Sequence, residues 1–222
     1  MRSIKILPTI VPAAPSDIEE ASKRHAAFAS FFQIDITDGK FAPNTTWLPR
    51  DGYTLPREYD YEVHLMVEDP VPLATIFAKA GARRLIVHVE ALESDIERVA
   101  QTFVEWKRSG VQEIGLAVLL QTPFEQVEPY LSHIDFVLLM TIPRIGVQGI
   151  PYDTSAPARV SAFHTRHPEV LISVDGGVSE TNIADLVRAG ATRFGVGSAI
   201  AKAGDPASAF QTLKTLAENA SM

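Results

Sequence analysis

Short apolar runs recur from one end of the chain to the other, and most of the gaps between them carry the spacing of an amphipathic helix. The runs predict strands over 4–9, 31–36, 61–66, 84–89, 113–119, 136–141, 170–175 and 193–196. Helices are expected over 17–29, 72–80, 94–108, 181–189 and 206–219. Ser16 and Glu19 have the spacing of a capping box for the first of these, and Ser179 is placed to cap the fourth. Three junctions repeat one phrase: a helix, then Ala80-Gly81-Ala82, Ser109-Gly110-Val111 or Ala189-Gly190-Ala191, then a strand. A glycine that closes a helix just before an apolar run marks the αβ junction of a parallel unit. Eight strands with crossover segments predict an α/β chain forming a single (β/α)8 TIM barrel over 1–222, with an open doubly wound sheet as the other arrangement. The first strand-to-helix turn has no G-x-G-x-x-G, so a dinucleotide site lacks support.

Buried parallel strands should be apolar throughout, and three of these carry polar residues near their C-terminal ends. A two-residue period puts Gln33, Asp35 and Thr37 on one face of the second strand and Glu62, His64 and Met66 on one face of the third. Asp175 closes the seventh. Barrel active sites lie at the C-terminal ends of strands, so Asp35, His64 and Asp175 are expected at one mouth. Two carboxylates and an imidazole suit either a divalent metal or an acid–base pair sharing a proton. Each residue alone has a plainer explanation: Asp35 could cap the turn toward Asp38-Gly39, and His64 could be a hydrogen-bonded core residue. Their coincidence at matching strand ends favours function. A second group, Gly176-Gly177 after strand seven and Gly197-Ser198 after strand eight, lies where barrels bind phosphate through backbone N–H groups. The competing explanation is two tight turns that need positive φ.

Composition narrows the chemistry. With 46% hydrophobic and 21% charged residues in 222, the chain can bury a sizeable core. The absence of Cys excludes disulfides, thiolate metal sites and a cysteine nucleophile. A net charge of −7 argues against nucleic acid or an anionic membrane as partner, so any phosphate must be held by local donors. No apolar run approaches the roughly 18 residues that span a bilayer. Arg2 and Lys5 precede an apolar stretch, but Pro8, Pro12 and Pro15 interrupt it, so a cytoplasmic location is expected.

The sequence resembles the ribulose-phosphate 3-epimerase family over nearly its whole length. The resemblance is densest in Ile34-Asp35-Ile36-Thr37-Asp38-Gly39-Lys40-Phe41-Ala42-Pro43-Asn44, Val63-His64-Leu65-Met66-Val67-Glu68-Asp69-Pro70, Val174-Asp175-Gly176-Gly177-Val178 and Gly197-Ser198-Ala199-Ile200. Val87-His88-Val89-Glu90-Ala91 and Thr122-Pro123 fall on similar phrases. The resemblance implies a barrel that epimerises a ketose phosphate through an enediolate, with Asp35 and Asp175 as the acid–base pair. It implies a divalent metal, zinc or else iron, manganese or cobalt, on Asp35, His64 and Asp175, and a small phosphorylated sugar as partner. Gly176, Gly177, Gly197 and Ser198 would hold phosphate, Met66 and Met140 would pack around the reacting carbons, and the chain would form a homo-oligomer. Some positions depart from the family pattern. Gln33 stands for a metal-binding His and would coordinate more weakly, through its amide oxygen. Thr9 stands for a substrate-binding Ser and Thr37 for a Met. The loop after strand six reads Thr141-Ile142-Pro143-Arg144-Ile145-Gly146-Val147-Gln148-Gly149, and from it Arg144 and Gly146 are candidates for phosphate. These departures leave two alternatives: an epimerase for a different ketose phosphate, or a catalytically degenerate sugar-phosphate-binding relative. A Schiff-base lyase is disfavoured because Lys40, in a loop, is the only lysine near the strand-end group.

Overall fold

The computed structural model describes residues 3–146 and 150–221. Eight parallel strands close in sequence order into a barrel, β1 to β8. They are β1 (Lys5–Ile10), β2 (Phe31–Thr37), β3 (Asp60–Met66), β4 (Arg84–His88), β5 (Glu113–Val118), β6 (Phe136–Met140), β7 (Leu171–Asp175) and β8 (Arg193–Val196). The helices are α1 (Pro15–His25), α2 (Pro70–Ala80), α3 (Ile96–Arg108), α4 (Ala156–Arg166), α5 (Ile183–Arg188), α6 (Ser198–Ala201) and α7 (Pro206–Ala220). Two crossovers lack an α-helix. Pro43, Pro49 and Pro56 keep the β2–β3 connection open, and Pro123 and Pro129 reduce the β5–β6 connection to 3-10 turns at Phe124–Gln126 and Glu128–His133. Helix α4 has no counterpart among the expected helices, and Arg2 and Val147–Gly149 lie outside the described residues. No helix among the described residues is long and apolar enough to cross a membrane.

The glycine junctions form as the repeated phrase implies. Gly81, Gly110 and Gly190 take φ of 101°, 111° and 113°, the left-handed conformation that ends a helix. Two caps do not. Helix α1 starts at Pro15, ahead of Ser16, because proline is suited to a first helical position. The carboxylate at its start also differs from the expected one: Asp17, not Glu19, accepts from the N–H groups of Ala13 and Ala14, at 2.7 and 2.8 Å. Glu19 pairs instead with Lys23 one turn on. Helix α5 begins after Asn182, and the Ser179 hydroxyl bonds Thr181 rather than a helix N–H.

Most of the core lies between the strands and the outer helices, where Phe32, Leu65, Phe77, Phe163 and Phe194 are buried. A smaller apolar cluster fills the barrel itself and includes Met66, Ile86, Ala117, Leu138 and Met140. Below it, at the N-terminal ends of the strands, the interior is charged. Arg84 lies 3.3 Å from Glu62 and 3.1 Å from Glu113, and Arg193 also pairs with Glu113. The guanidinium groups of Arg84 and Arg193 cover the rings of Phe31 and Phe136. The barrel is therefore layered: a charged floor, an apolar middle and a polar mouth.

Candidate active site

Strand register builds the mouth. Asp35 on β2 pairs with His64 on β3, and on the far side Asp175 on β7 lies between Met140 on β6 and Gly195 on β8. Alternation points Gln33, Asp35, His64 and Asp175 inward. The ligand-capable atoms of Asp35, His64 and Asp175 all lie within 4.8 Å of one another. His64 Nδ1 is 3.3 Å from Asp35 Oδ1 and 3.5 Å from Asp175 Oδ2, and it has no hydrogen-bond partner in good geometry. Gln33 closes the group from below. Its Nε2 donates to Asp35 Oδ1 at 2.9 Å and to Asp175 Oδ2 at 2.5 Å, and its buried Oε1 has no partner. The nitrogen, rather than the oxygen expected of a metal ligand, thus faces the carboxylates here. The approach is close: a Cβ on Gly195 would lie 2.6 Å from Gln33 Oε1 and 3.0 Å from Asp175 Cγ, so any side chain there would displace the Gln33 amide and crowd Asp175.

Crowding two carboxylates has electrostatic consequences. Burial, and then the Asp175 charge, push the Asp35 carboxyl above its ordinary range, against the opposing pull of His64 and Gln33. Burial alone would lower His64, but Asp175 and Asp35 outweigh it and raise the imidazole to about 9. Behind it stands a second buried imidazole. His64 Nε2 lies 2.9 Å from His88 Nε2, and His88 Nδ1 lies 3.3 Å from Glu90 Oε2. Burial, with His64 nearby, lowers His88 to about 4 despite Glu90. Glu90 is held below the usual carboxylate range: burial works against this, but donors from His88, Thr122 and the Leu119 N–H prevail.

Both carboxylates open onto a cavity of about 100 Å³. Met66, Met140 and Gly146 line it with them, as do Thr37, Asn44 and Ile142. Thr9, Gly197 and Ser198 lie instead around an adjacent depression of about 290 Å³, together with Arg24 and Lys202. Val11 borders both spaces. Gly176 and Gly177 have φ of 116° and 66° and pack under Ile142 and Tyr152, so positive-φ turns account for their backbone shape. Arg144 is exposed and does not line the cavity.

Three residues that shape the mouth escape a reading based on strand ends. Asn182 takes the Ser179 N–H and donates to the Gly177 carbonyl, both at 2.9 Å, which fixes the double-glycine turn. Thr46 returns the β2–β3 loop onto Thr37, accepting its N–H at 3.0 Å. Asp38 ties that loop to the one after β3. It accepts from the N–H groups of Lys40, Phe41 and Glu68 at 2.9, 3.0 and 2.8 Å. Burial would raise Asp38, but these donors hold it below its ordinary value. A carboxyl lowered in this way stabilises the fold above its unfolded pKa, and the contribution disappears as pH falls through the folded value. Asp38→Asn should therefore cost ~1 kcal/mol at pH 7 after allowance for solvent screening. In urea titrations the gap from the parent should close as pH drops below about 4. A gap that stays constant with pH would mean the carboxylate charge is irrelevant to the loop.

The barrel and its polar mouth together define a TIM-barrel enzyme. Comparison with known proteins makes the class specific. Residues 5–201 match the model of the ribulose-phosphate 3 epimerase family. Ribulose-phosphate 3-epimerase of Bacillus subtilis is 32% identical over 207 residues, covering 89% of this chain and 92% of that one. The enzyme of the same name from Schizosaccharomyces pombe is 28% identical, covering 93% and 90%. Among solved structures, 3-keto-L-gulonate-6-phosphate decarboxylase from Vibrio cholerae superposes with a TM-score of 0.69 at 12% identity, covering 99% of this chain and 99% of that one. At that identity it speaks for the fold alone. The chain belongs to the ribulose-phosphate 3-epimerase family and is an epimerase acting on a sugar phosphate.

Proposed function

We propose that the chain inverts C3 of a ketopentose phosphate, with ribulose 5-phosphate as the first substrate to test, through proton transfers by Asp35 and Asp175. The observation that carries this reading is the position of the two carboxylates: both line one small cavity and both lie within hydrogen-bond reach of one amide nitrogen. A sugar carbon seated between them would present one face to each. One carboxylate removes the C3 proton while charge moves onto the C2 oxygen, and the other delivers a proton to the opposite face. Asp35, raised by burial and its neighbour, is suited to hold a proton between half-reactions. Met66 and Met140 supply a polarizable, water-excluding wall. Phosphate would rest on backbone N–H groups of Gly176, Gly177, Gly197 and Ser198, with Thr9, Arg144 and Gly146 at the rim.

The donor set fits a divalent ion. Asp35, His64 and Asp175 would hold it: their ligand atoms are clustered, and His64 Nδ1 is buried without a partner. Turning the Gln33 amide over would bring its unpartnered oxygen to the same point. Oxygen and imidazole donors suit zinc, iron, manganese or cobalt. A metal there would polarise the C2 carbonyl as a Lewis acid.

The test is wash-in of solvent deuterium at C3 of ribulose 5-phosphate by folded, metal-supplied enzyme. Rapid exchange supports the reading, and the absence of exchange into any ketose phosphate would leave the degenerate-relative alternative in its place. The metal is tested separately. Gln33→His exchanges a neutral amide for an imidazole and should tighten zinc binding about tenfold or more in chelator competition. Unchanged affinity would place residue 33 outside the metal's coordination.

A further inference from the structure

We infer that His88 and Glu90 are a positioning pair that fixes the tautomer of His64, so that its Nδ1 lone pair points at the same spot as the Asp35 and Asp175 carboxylates. This rests on the metal-assisted reading above and adds to it residues that do not line the cavity.

Two imidazole nitrogens 2.9 Å apart, His64 Nε2 and His88 Nε2, require one N–H and one lone pair between them. The other end of the chain decides which. His88 Nδ1 faces Glu90 Oε2 at 3.3 Å, and an ionised carboxylate only accepts, so His88 carries its proton on Nδ1. Its Nε2 then accepts and His64 Nε2 must donate, so the proton that His64 gives up on becoming neutral leaves from Nδ1 and the lone pair appears there. The anchor is itself held: Glu90 Oε1 accepts the Leu119 N–H at 2.8 Å, and the His88 ring packs 5.0 Å from the His64 ring and 4.9 Å from that of Phe41. Both imidazoles are fully buried, so water does not compete for these bonds. The chain thus runs from the start of the β5–β6 connection, through the end of β4, to the centre of the mouth. Ligand histidines are generally oriented by such partners, whose loss weakens metal affinity about 10–100-fold.

Glu90→Gln tests this with almost no change in shape. The Leu119 N–H can be met only by the amide oxygen, so the NH₂ group faces His88 and donates to its Nδ1. That reverses each proton in the chain and puts N–H on His64 Nδ1, where the lone pair is needed. Two measurements are made on parent and variant: zinc affinity by chelator competition, and ¹⁵N–¹H spectra of histidine-labelled protein without metal, recorded above pH 9 where His64 is neutral. The parent should show the His88 proton on Nδ1. The variant should show it on Nε2 and bind zinc about 10–100-fold more weakly, at an unchanged circular-dichroism spectrum. A parent with the His88 proton on Nε2, or a folded variant with parental zinc affinity, would overturn the inference. If the parent itself binds no zinc, the metal reading fails, while the metal-free spectra still decide the tautomer. If the variant does not fold, the parent spectrum decides alone.

Discussion

Asp35→Asn and Asp175→Asn should each lower epimerase turnover by about three orders of magnitude, with the loss in kcat rather than KM. Asparagine keeps the shape and can still accept from the Gln33 amide, so the barrel should remain folded. It cannot take a proton. The two variants should also differ in a way that a general loss of structure would not produce. With one carboxylate left, a proton can be removed from one face and returned to that face only. Each variant should therefore exchange C3 hydrogen with solvent starting from one epimer, without inverting it, and the two variants should prefer opposite epimers. Zinc content measured alongside separates loss of proton transfer from loss of metal. If both variants turn over within about tenfold of the parent, other groups perform the chemistry.

How much of this was legible in the sequence depended on the range of the interaction. Strand positions were read to within a residue or so, because a buried parallel strand is written in its own apolar run. The gathering of Asp35, His64 and Asp175 followed from a rule local to each strand, that its C-terminal end faces the mouth. Helix starts were less legible. Ser16 and Glu19 have capping-box spacing, yet Pro15 and Asp17 set the start of α1, since several residues of a polar segment can compete for one role. What could not be read were partnerships across the barrel. Nothing near Gln33 says that its amide bridges residues on two strands, one of them 142 positions away. The link from His88 to His64 was equally hidden, although the phrase containing His88 and Glu90 stood out. The charged floor did leave a signal. Arg84, Glu113 and Arg193 are each the first residue of a strand, where an isolated charge would ordinarily be read as solvent-exposed.

That floor carries the other large expected effect. Glu62 is fully buried, its Oε1 has no partner, and Arg84 is the cation nearest its other oxygen. Burial already raises the Glu62 carboxyl, with Arg84 and Arg193 opposing the shift. Arg84→Met removes the main opposition and leaves a buried acid facing a thioether, a change expected to cost about 3–5 kcal/mol in urea unfolding. The pH dependence has a definite sign. A carboxyl whose folded pKa lies above its unfolded value binds more protons when folded, so its contribution to stability falls as pH rises toward the folded pKa. The variant should therefore be closer to the parent at pH 5 than at pH 8. Adding Glu62→Gln should recover part of the loss, because a neutral amide is less costly to bury than an unpaired charge. If Arg84→Met costs less than about 1 kcal/mol at pH 8, the floor is solvated and the ion pairs are of the weak surface kind. If the cost is large but independent of pH, its source is lost packing over Phe31 rather than the stranded carboxyl. Because Glu62 and His64 are two residues apart on the inward face of β3, a floor that loosens should also disturb the mouth, seen as a shift of the His64 ring resonances in Arg84→Met.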